Sequence, residues 1–515
     1  MKSLDKNILF LLTVLFICIF PHHDLTSVSN MEARNFITAR EIVENGSWLL
    51  PTMNGEVRIA KPPLPTWVTA LAMMGAGTDA NLAVNRIPAG ICAALLALFV
   101  FLLVRRVTGD TDFAVTAMLV LATSYLFMWS ARKNSWDIYP HVAMAGAIWA
   151  MLEAFMRTRG KNFYFFIFSI LLSVSFYSKG PVAFWAMLAP FLVSYCIVYG
   201  TKEIRENAQG LLWGVGLCVL LSAAWPAYVY MNTPHVATAV ASQESFAWFT
   251  EHTQPFWYYL AHLQWIAGIW LFFLLYGLIA PFIRKSFSRE EKLFVFWFIM
   301  IIVFLSVIPE KKIRYLFPAV VPGSVISAMA IHRLRQARGW SRMVIYGAFS
   351  IVSGLGFIAA AAALVYISEG SIPVLLSALP FGFTGGVLLY GFFTGNTRNS
   401  HIAVIVGICL SILLLPPAAA EYKQQDKAEL FMHVRQDPAL KDRAFYCVGD
   451  LEYEIVWAVG RKAPLITKEE IASLASTGTG YALITTEVLD STPSRIKLAE
   501  TIKARKKTYY IYTSS

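Results

Sequence analysis

Long apolar stretches alternate along most of the chain with short breaks that are basic, polar or rich in proline. The first runs from Ile8 to Phe20, behind Lys2 and Lys6. Only Pro21-His22-His23-Asp24 follows it, without a small-x-small cleavage site, so a retained first span is expected rather than a signal peptide. Further runs lie around 83–104, 112–130, 138–156, 162–178, 181–199, 209–230, 258–282, 292–308, 314–331, 343–367, 372–394 and 401–419. The pattern predicts a polytopic α-helical membrane protein with about 13 transmembrane helices.

From about Glu421 the period changes. Ala444–Val448, Tyr481–Ile484 and Tyr509–Tyr512 read as strands, and Lys468–Leu474 and Pro493–Ala504 as helices. The expected organisation is a transmembrane domain over 1–420 and a small soluble α/β domain over 421–515.

One polar stretch interrupts the membrane pattern early, in an outer loop with amphipathic helices expected over 24–80. Between Ser29 and Trp67, Glu32, Arg34, Arg40, Glu41 and Glu44 are spaced among Phe36, Ile37, Ile42 and Val43 as on a helix lying along a surface. The run Lys61-Pro62-Pro63-Leu64-Pro65 cannot continue a helix, because proline removes donors and fixes φ. It reads as a rigid elbow presenting the Lys61 cation beside the membrane.

Composition supports the membrane reading, with 57% hydrophobic and 15% charged residues. The net charge of +11 is scattered between apolar runs and forms no sustained basic face, so it reads as a topology signal and not as a nucleic-acid surface. With the N-terminus inside, Arg105 and Arg106, Arg157, Arg159 and Lys161, Lys202 and Arg205, and Arg284, Lys285, Arg289 and Lys292 all fall in cytoplasmic loops. The Ser29–Trp67 segment, the 231–257 loop and the tail then lie outside. Arg132 and Lys133, Lys179, and Lys311, Lys312 and Arg314 break the rule by lying at outer ends of spans. Each alone reads as a snorkelling side chain, but with Lys61 and Arg58 they form a candidate phosphate pocket at the outer face. The six cysteines make no disulfide framework or CxxC pattern.

Acids are scarce near that face. Asp137, in Arg132-Lys133-Asn134-Ser135-Trp136-Asp137, and Glu32 are the candidate catalytic carboxylates. The ordinary alternatives are a helix cap or a pair with Arg132 or Lys133 for Asp137, and a surface pair with Arg34 or Arg40 for Glu32. The loop Glu244–Tyr259 holds His252 ahead of Trp257, Tyr258 and Tyr259. Those aromatics fit an interfacial belt, and equally a groove for sugar and lipid; His252 is a candidate metal ligand or phosphate donor. No P-loop, GxGxxG, HExxH or Gly-x-Ser-x-Gly motif stands in a supporting context, which disfavours ATP-driven transport and serine hydrolysis.

The chain resembles the polyprenyl-phosphate-dependent glycosyltransferases of the GT-C class, in particular the bacterial lipid A aminoarabinose transferases and the protein O-mannosyltransferase-like family. The resemblance rests on the 31–67 segment, ARKNSWD at 131–137, SKGPVAF at 178–184, HTQPFWYYL at 252–260 and PEKKIRYLFPAVVP at 309–322. It implies a GT-C fold and a multi-pass protein of the bacterial inner membrane. It implies a donor phosphate held by Lys61, Lys179, Lys312 and Arg314 at the periplasmic face, with Asp137 catalytic; the charge pattern adds Arg58 and Arg132 to the phosphate residues and Glu32 as a second candidate carboxylate. The sugar would pass to a lipid A, envelope-glycan or protein acceptor, with Trp257, Tyr258, Tyr259 and His252 lining the substrate groove. A monomer among membrane lipids is expected, and no cofactor beyond an open place for a divalent metal.

Two positions depart from the family pattern. Met31-Glu32 stands where relatives carry an Asp-Glu pair, and Ala60 replaces an acid before the lysine. They favour the competing class, a non-catalytic protein that binds or transports polyprenyl-linked sugars. A transporter would show charged or broken helices at mid-depth, whereas the charges here gather at span ends.

Overall fold

The computed structural model describes residues 2–336, 340–368, 371–414, 427–441, 443–450, 452–474, 480–489, 496–504 and 507–514. Along the chain the helices are α1 (Lys2–Ile19), α2 (Asn30–Asn45), α3 (Leu64–Ala76), α4 (Leu82–Thr108), α5 (Thr111–Ala122), α6 (Tyr125–Ala131), α7 (Ile138–Phe155) and α8 (Lys161–Lys179). There follow α9 (Ala189–Tyr199), α10 (Lys202–Glu206), α11 (Ala208–Asn232), α12 (Pro234–Thr250), α13 (Leu263–Ala267), α14 (Leu271–Arg284), α15 (Arg289–Val307) and α16 (Val320–Gln336). The last are α17 (Trp340–Ile367), α18 (Ile372–Phe393), α19 (Ser400–Leu414), α20 (Lys427–Phe431), α21 (Tyr453–Val459) and α22 (Lys468–Leu474).

The chain forms two compact units. The first comprises Met1–Pro21, Ala60–Leu64 and Ala89–Leu415, and is a polytopic helical membrane protein. Among the described residues eight helical stretches are long and apolar enough to cross a bilayer, and the pair α5 and α6, bent by 69°, makes a ninth. The other expected spans are helical too, but their apolar stretches Leu9–Ile19, Phe184–Tyr199 and Ser400–Leu414 are shorter, and α15 starts with Arg289-Glu290-Glu291-Lys292. Burial is uneven. The apolar windows of α7 and of Ile313–Gln336 are 89% buried, whereas that of α11 is only 22% buried. The centre of the unit is therefore α7 with α16, and α11 lies at its margin.

The second unit joins His22–Ile59 and Pro65–Pro88 to the tail, Pro416–Ser515. The expected boundary near 420 set the outer loop with the membrane part; packing places most of it with the tail. Helix α2 starts in a capping box, with Ser29 and Glu32 exchanging hydrogen bonds, and stops at Gly46 in the left-handed region, φ +69°. Behind it β1 (Thr52–Met53) and β2 (Glu56–Val57) make a tight hairpin turned by Asn54-Gly55, both at positive φ. The tail forms a five-stranded sheet of β3 (Ala444–Val448), β4 (Leu465–Ile466), β5 (Tyr481–Thr485), β6 (Ile496–Ala504) and β7 (Lys507–Ser514), in the order β4-β3-β5-β7-β6. Strands β4, β3 and β5 run parallel, and β7 and β6 are added antiparallel.

The expected strands and the helix Lys468–Leu474 are present. The expected helix Pro493–Ala504 is not: 496–504 is strand β6, and 493–495 lie outside the described residues, as does most of the start of the tail. A core shared by α2 and the tail has Phe36 of α2 packed at 5.8 Å on Trp457 of α21, and a second buried cluster gathers Val448, Ile471, Leu483, Ile496 and Tyr512. Asn54 at the hairpin tip both donates to the Ala463 carbonyl (2.9 Å) and accepts from its N–H (2.7 Å). Arg435 grips Asp79 through both oxygens, at 2.8 and 3.1 Å.

Candidate functional site

Asp137 immediately precedes α7 in the most buried part of the membrane unit. Its backbone is already helical, φ −69° and ψ −32°, and its carboxylate caps no N–H. The carboxylate instead turns sideways to Lys179, the last residue of α8, whose Nζ donates to Oδ1. Helix α8 ends there because Gly180 adopts φ +67°, which a side chain resists, and Pro181 has no N–H to continue. Arg314, opening the irregular turn Ile313–Ala319 ahead of α16, brings its Nε to 3.6 Å from the second oxygen, Oδ2. Asp137 is 1% exposed and Lys179 8%, while Arg314 keeps 28% of its side chain open. Burial opposes the charge on Asp137, and Lys179 and Arg314 more than offset it, holding the carboxyl below the usual carboxylate range.

The Tyr315 ring organises the cations. Lys179 Nζ lies 5.1 Å from its centroid, Arg314 Cζ 5.6 Å and Lys312 Nζ 5.8 Å. Glu310 fixes this turn from one side: Oε1 accepts from Lys312 at 2.5 Å and from the Tyr315 hydroxyl at 3.0 Å. Lys61 on its proline elbow pairs with Glu244 of α12 at 2.5 Å, with both side chains more than one-third exposed. Lys61 also lies within electrostatic range of Lys179. Four cations, Lys61, Lys179, Lys312 and Arg314, thus meet three carboxylates, Asp137, Glu244 and Glu310, leaving net positive charge. Among the described residues, Asp137 Oδ2 and Arg314 Nε are buried without a hydrogen-bond partner. Orphaned buried atoms of opposite character side by side suit a polar group that is supplied from outside.

The structure therefore brings together Asp137, Lys61, Lys179, Lys312 and Arg314, five of the residues expected at the site. Of the others, His252 and Tyr259 also lie at this turn, with Tyr259 in electrostatic range of Tyr315 and Glu310. Glu32 is in the second unit, fully buried and gripped by Arg86 through Nε to Oε1 (2.7 Å) and Nη2 to Oε2 (3.0 Å). Arg58, also in the second unit, donates at 2.9 Å to the Arg34 carbonyl and to Thr38 Oγ1. Arg132 donates to the Pro21 carbonyl at 2.6 Å and so anchors the end of the first span.

Thr253, next to His252, forms a β-bridge with Glu310, and the His252 carbonyl accepts from the Lys311 N–H at 3.1 Å. The His252 ring is exposed. Among the described residues no three His, Cys, Asp or Glu side chains gather as a metal-holding group. Trp257 is exposed, Tyr258 stacks at 4.2 Å on His262, and Tyr259 is buried. Sequence reasoning quoted Glu310, Tyr315 and Glu244 inside larger motifs but gave them no role. The available signal was an acid two residues before Lys312 and an aromatic directly after Arg314.

The family model described as dolichyl-phosphate-mannose-protein mannosyltransferase matches residues 60–230, which include Lys61, Asp137 and Lys179. An uncharacterized protein of Aquifex aeolicus is 27% identical over 56% of this chain and 57% of its own length. The undecaprenyl phosphate-alpha-4-amino-4-deoxy-L-arabinose arabinosyl transferase of Edwardsiella ictaluri is 27% identical over 72% of this chain and 65% of its own. The chain thus spans less than two-thirds of either relative. Among solved structures, ArnT from Cupriavidus metallidurans bound to undecaprenyl phosphate shares the fold, with a TM-score of 0.75 at 15% identity over 99% of this chain and 98% of that one. The chain resembles the GT-C glycosyltransferases of the aminoarabinose and protein mannosyltransferase kind.

Proposed function

We propose that this chain is an integral-membrane glycosyltransferase. It moves a sugar from a polyprenyl-phosphate donor of the undecaprenyl-phosphate type to a lipid A, envelope-glycan or protein acceptor. In this reading the protein crosses the bacterial inner membrane about 13 times, with its active site and the 421–515 domain on the periplasmic face. The observation that carries the proposal is the gathering of Lys179, Lys312 and Arg314 around the Tyr315 ring beside Asp137. The names of the relatives and the lipid bound by the ArnT structure support it.

A polyprenyl phosphate leaves with a full charge on its phosphate. Fixed cations in a partly buried site stabilise that charge as it develops, so the leaving group needs no proton. The acceptor hydroxyl oxygen bonds to the anomeric carbon while the sugar–phosphate C–O bond breaks, its electron pair going to the phosphate. The hydroxyl proton passes to Asp137 Oδ2, the oxygen that has no hydrogen-bond partner among the described residues. An acceptor that is itself a phosphate requires no base, and Asp137 then serves to hold Lys179 and Arg314 in place.

The test is Asp137→Asn, assayed for transfer and for donor binding in the same preparation. Loss of transfer by about 10²–10⁴-fold with the donor still bound is expected for removal of a general base. Turnover equal to the unaltered protein would remove the assignment. Absence of free polyprenyl phosphate from incubations of the unaltered protein with donor and acceptor would shift the reading to a non-catalytic sugar-lipid binder, in line with Met31 and Ala60.

A further inference from the structure

A groove of about 910 Å³ runs between α8 and α11, away from the cation cluster, and falls in the size class of small-ligand sites, roughly 300–1,000 Å³. Glycines build it. A Cβ at Gly210 would come within 2.2 Å of the Phe165 ring, and one at Gly214 within 2.9 Å of Phe168, so only glycine lets α11 lie this close to α8. Gly216 also lines the groove, but a Cβ there would meet nothing within 4 Å, so the missing side chain leaves a hollow. The hollow faces hydrocarbon, because α11 is the least buried span and Leu212 and Leu220 beside it are 73% and 71% exposed.

The mouth differs from the floor. Lys161 and Asn162 open α8 on one side, and Glu206 closes α10 on the other. Lys161 has no ion-pair partner among the described residues, and Glu206 is paired only with Lys202, at 3.8 Å between two exposed side chains. The neighbouring Arg157, Arg159 and Lys202 mark this as the positively charged end of the spans. One cation and one anion over an apolar trough match a headgroup that carries an anionic phosphate and a primary ammonium, above one acyl chain.

We infer that the α8–α11 groove is a binding site for an amine-headed phospholipid such as phosphatidylethanolamine, with Lys161 on the phosphate, Glu206 on the ammonium and the acyl chain in the hollow at Gly216. The site is independent of the glycosyl-transfer reading.

The experiment is native mass spectrometry of the purified full chain, offered equal amounts of dioleoyl phosphatidylethanolamine, the matching phosphatidylcholine and phosphatidylglycerol, and undecaprenyl phosphate. The unaltered protein is expected to retain phosphatidylethanolamine at least fivefold over the other three. Gly216→Phe fills the hollow without a clash and should reduce that adduct about tenfold, with the elution profile and melting temperature unchanged. Lys161→Gln with Glu206→Gln alters only the mouth and should bring the ethanolamine and choline lipids to equal occupancy. Equal retention of all the lipids by the unaltered protein, preferential retention of undecaprenyl phosphate, or full phosphatidylethanolamine occupancy in folded Gly216→Phe would each overturn the inference.

Discussion

Two buried carboxylates, one in each unit, meet cations in opposite ways. Glu32 is saturated: Arg86 takes both oxygens, and the Ser29 N–H and hydroxyl add bonds to Oε2 at 3.1 and 3.0 Å. Arg86 in turn donates to the carbonyls of His23, Thr26 and Ser27. Every group is answered, and neither side chain is exposed at all. Asp137 is left incomplete, with one oxygen held by Lys179 and the other facing an Arg314 that is partly open to solvent. A saturated pair fastens a loop. An unsaturated one keeps capacity for a ligand, and this separates two acids that look alike as letters.

The comparison breaks most visibly at Arg86. Arg86→Met leaves the Glu32 carboxylate buried without its cation, which costs about 3–5 kcal/mol. Limited proteolysis should then cut within 22–59 and in the tail, because both belong to the same unit; an unchanged digest would mean the pair does not hold this unit. A smaller stability loss and a larger binding loss are expected at Lys179. Arg314 still faces Asp137 in Lys179→Met, so thermal stability should fall by only about 1–3 kcal/mol. Loss of one charge-assisted contact to the donor phosphate, about 1.5–3 kcal/mol, should weaken polyprenyl-phosphate binding by roughly 10–100-fold. Equal donor affinity before and after the change would take Lys179 out of the phosphate site.

The smallest effect sharpens the contrast. Glu244→Gln removes an ion pair in which both side chains are more than one-third exposed, a change of about 0–1 kcal/mol in stability. Because it frees Lys61, donor affinity should rise slightly, by a few-fold, in a titration at low salt. A drop in affinity would show that Glu244 positions Lys61 instead of competing for it.

The membrane helices were legible because long apolar runs state their own length, and the basic residues that break the loop-charge pattern included Lys179, Lys312 and Arg314, which the fold gathers beside Asp137. The Arg86 partner of Glu32 was not legible, because it lies 54 residues further along and no periodicity reports a pairing at that distance. Arg58 and Arg132 each donate to a backbone carbonyl, of Arg34 and of Pro21, and a backbone acceptor carries no letter in the sequence. Strand β6, Ile496-Lys497-Leu498-Ala499-Glu500-Thr501-Ile502-Lys503-Ala504, is rich in helix formers. It is extended because β7 supplies a ladder of partners along it, a tertiary effect that overrides propensity.

The aromatic ring of Tyr315 has a consequence for timing. Like charges brought this close would ordinarily drift apart until an anion arrived to collect them, and each encounter would begin with their reassembly. A negative π-face between Lys179, Lys312 and Arg314, anchored by its hydroxyl to Glu310, keeps them convergent beforehand. The work of convergence is done once, when the chain folds, and in the proposed function an arriving phosphate then meets a receptor that is already preorganised.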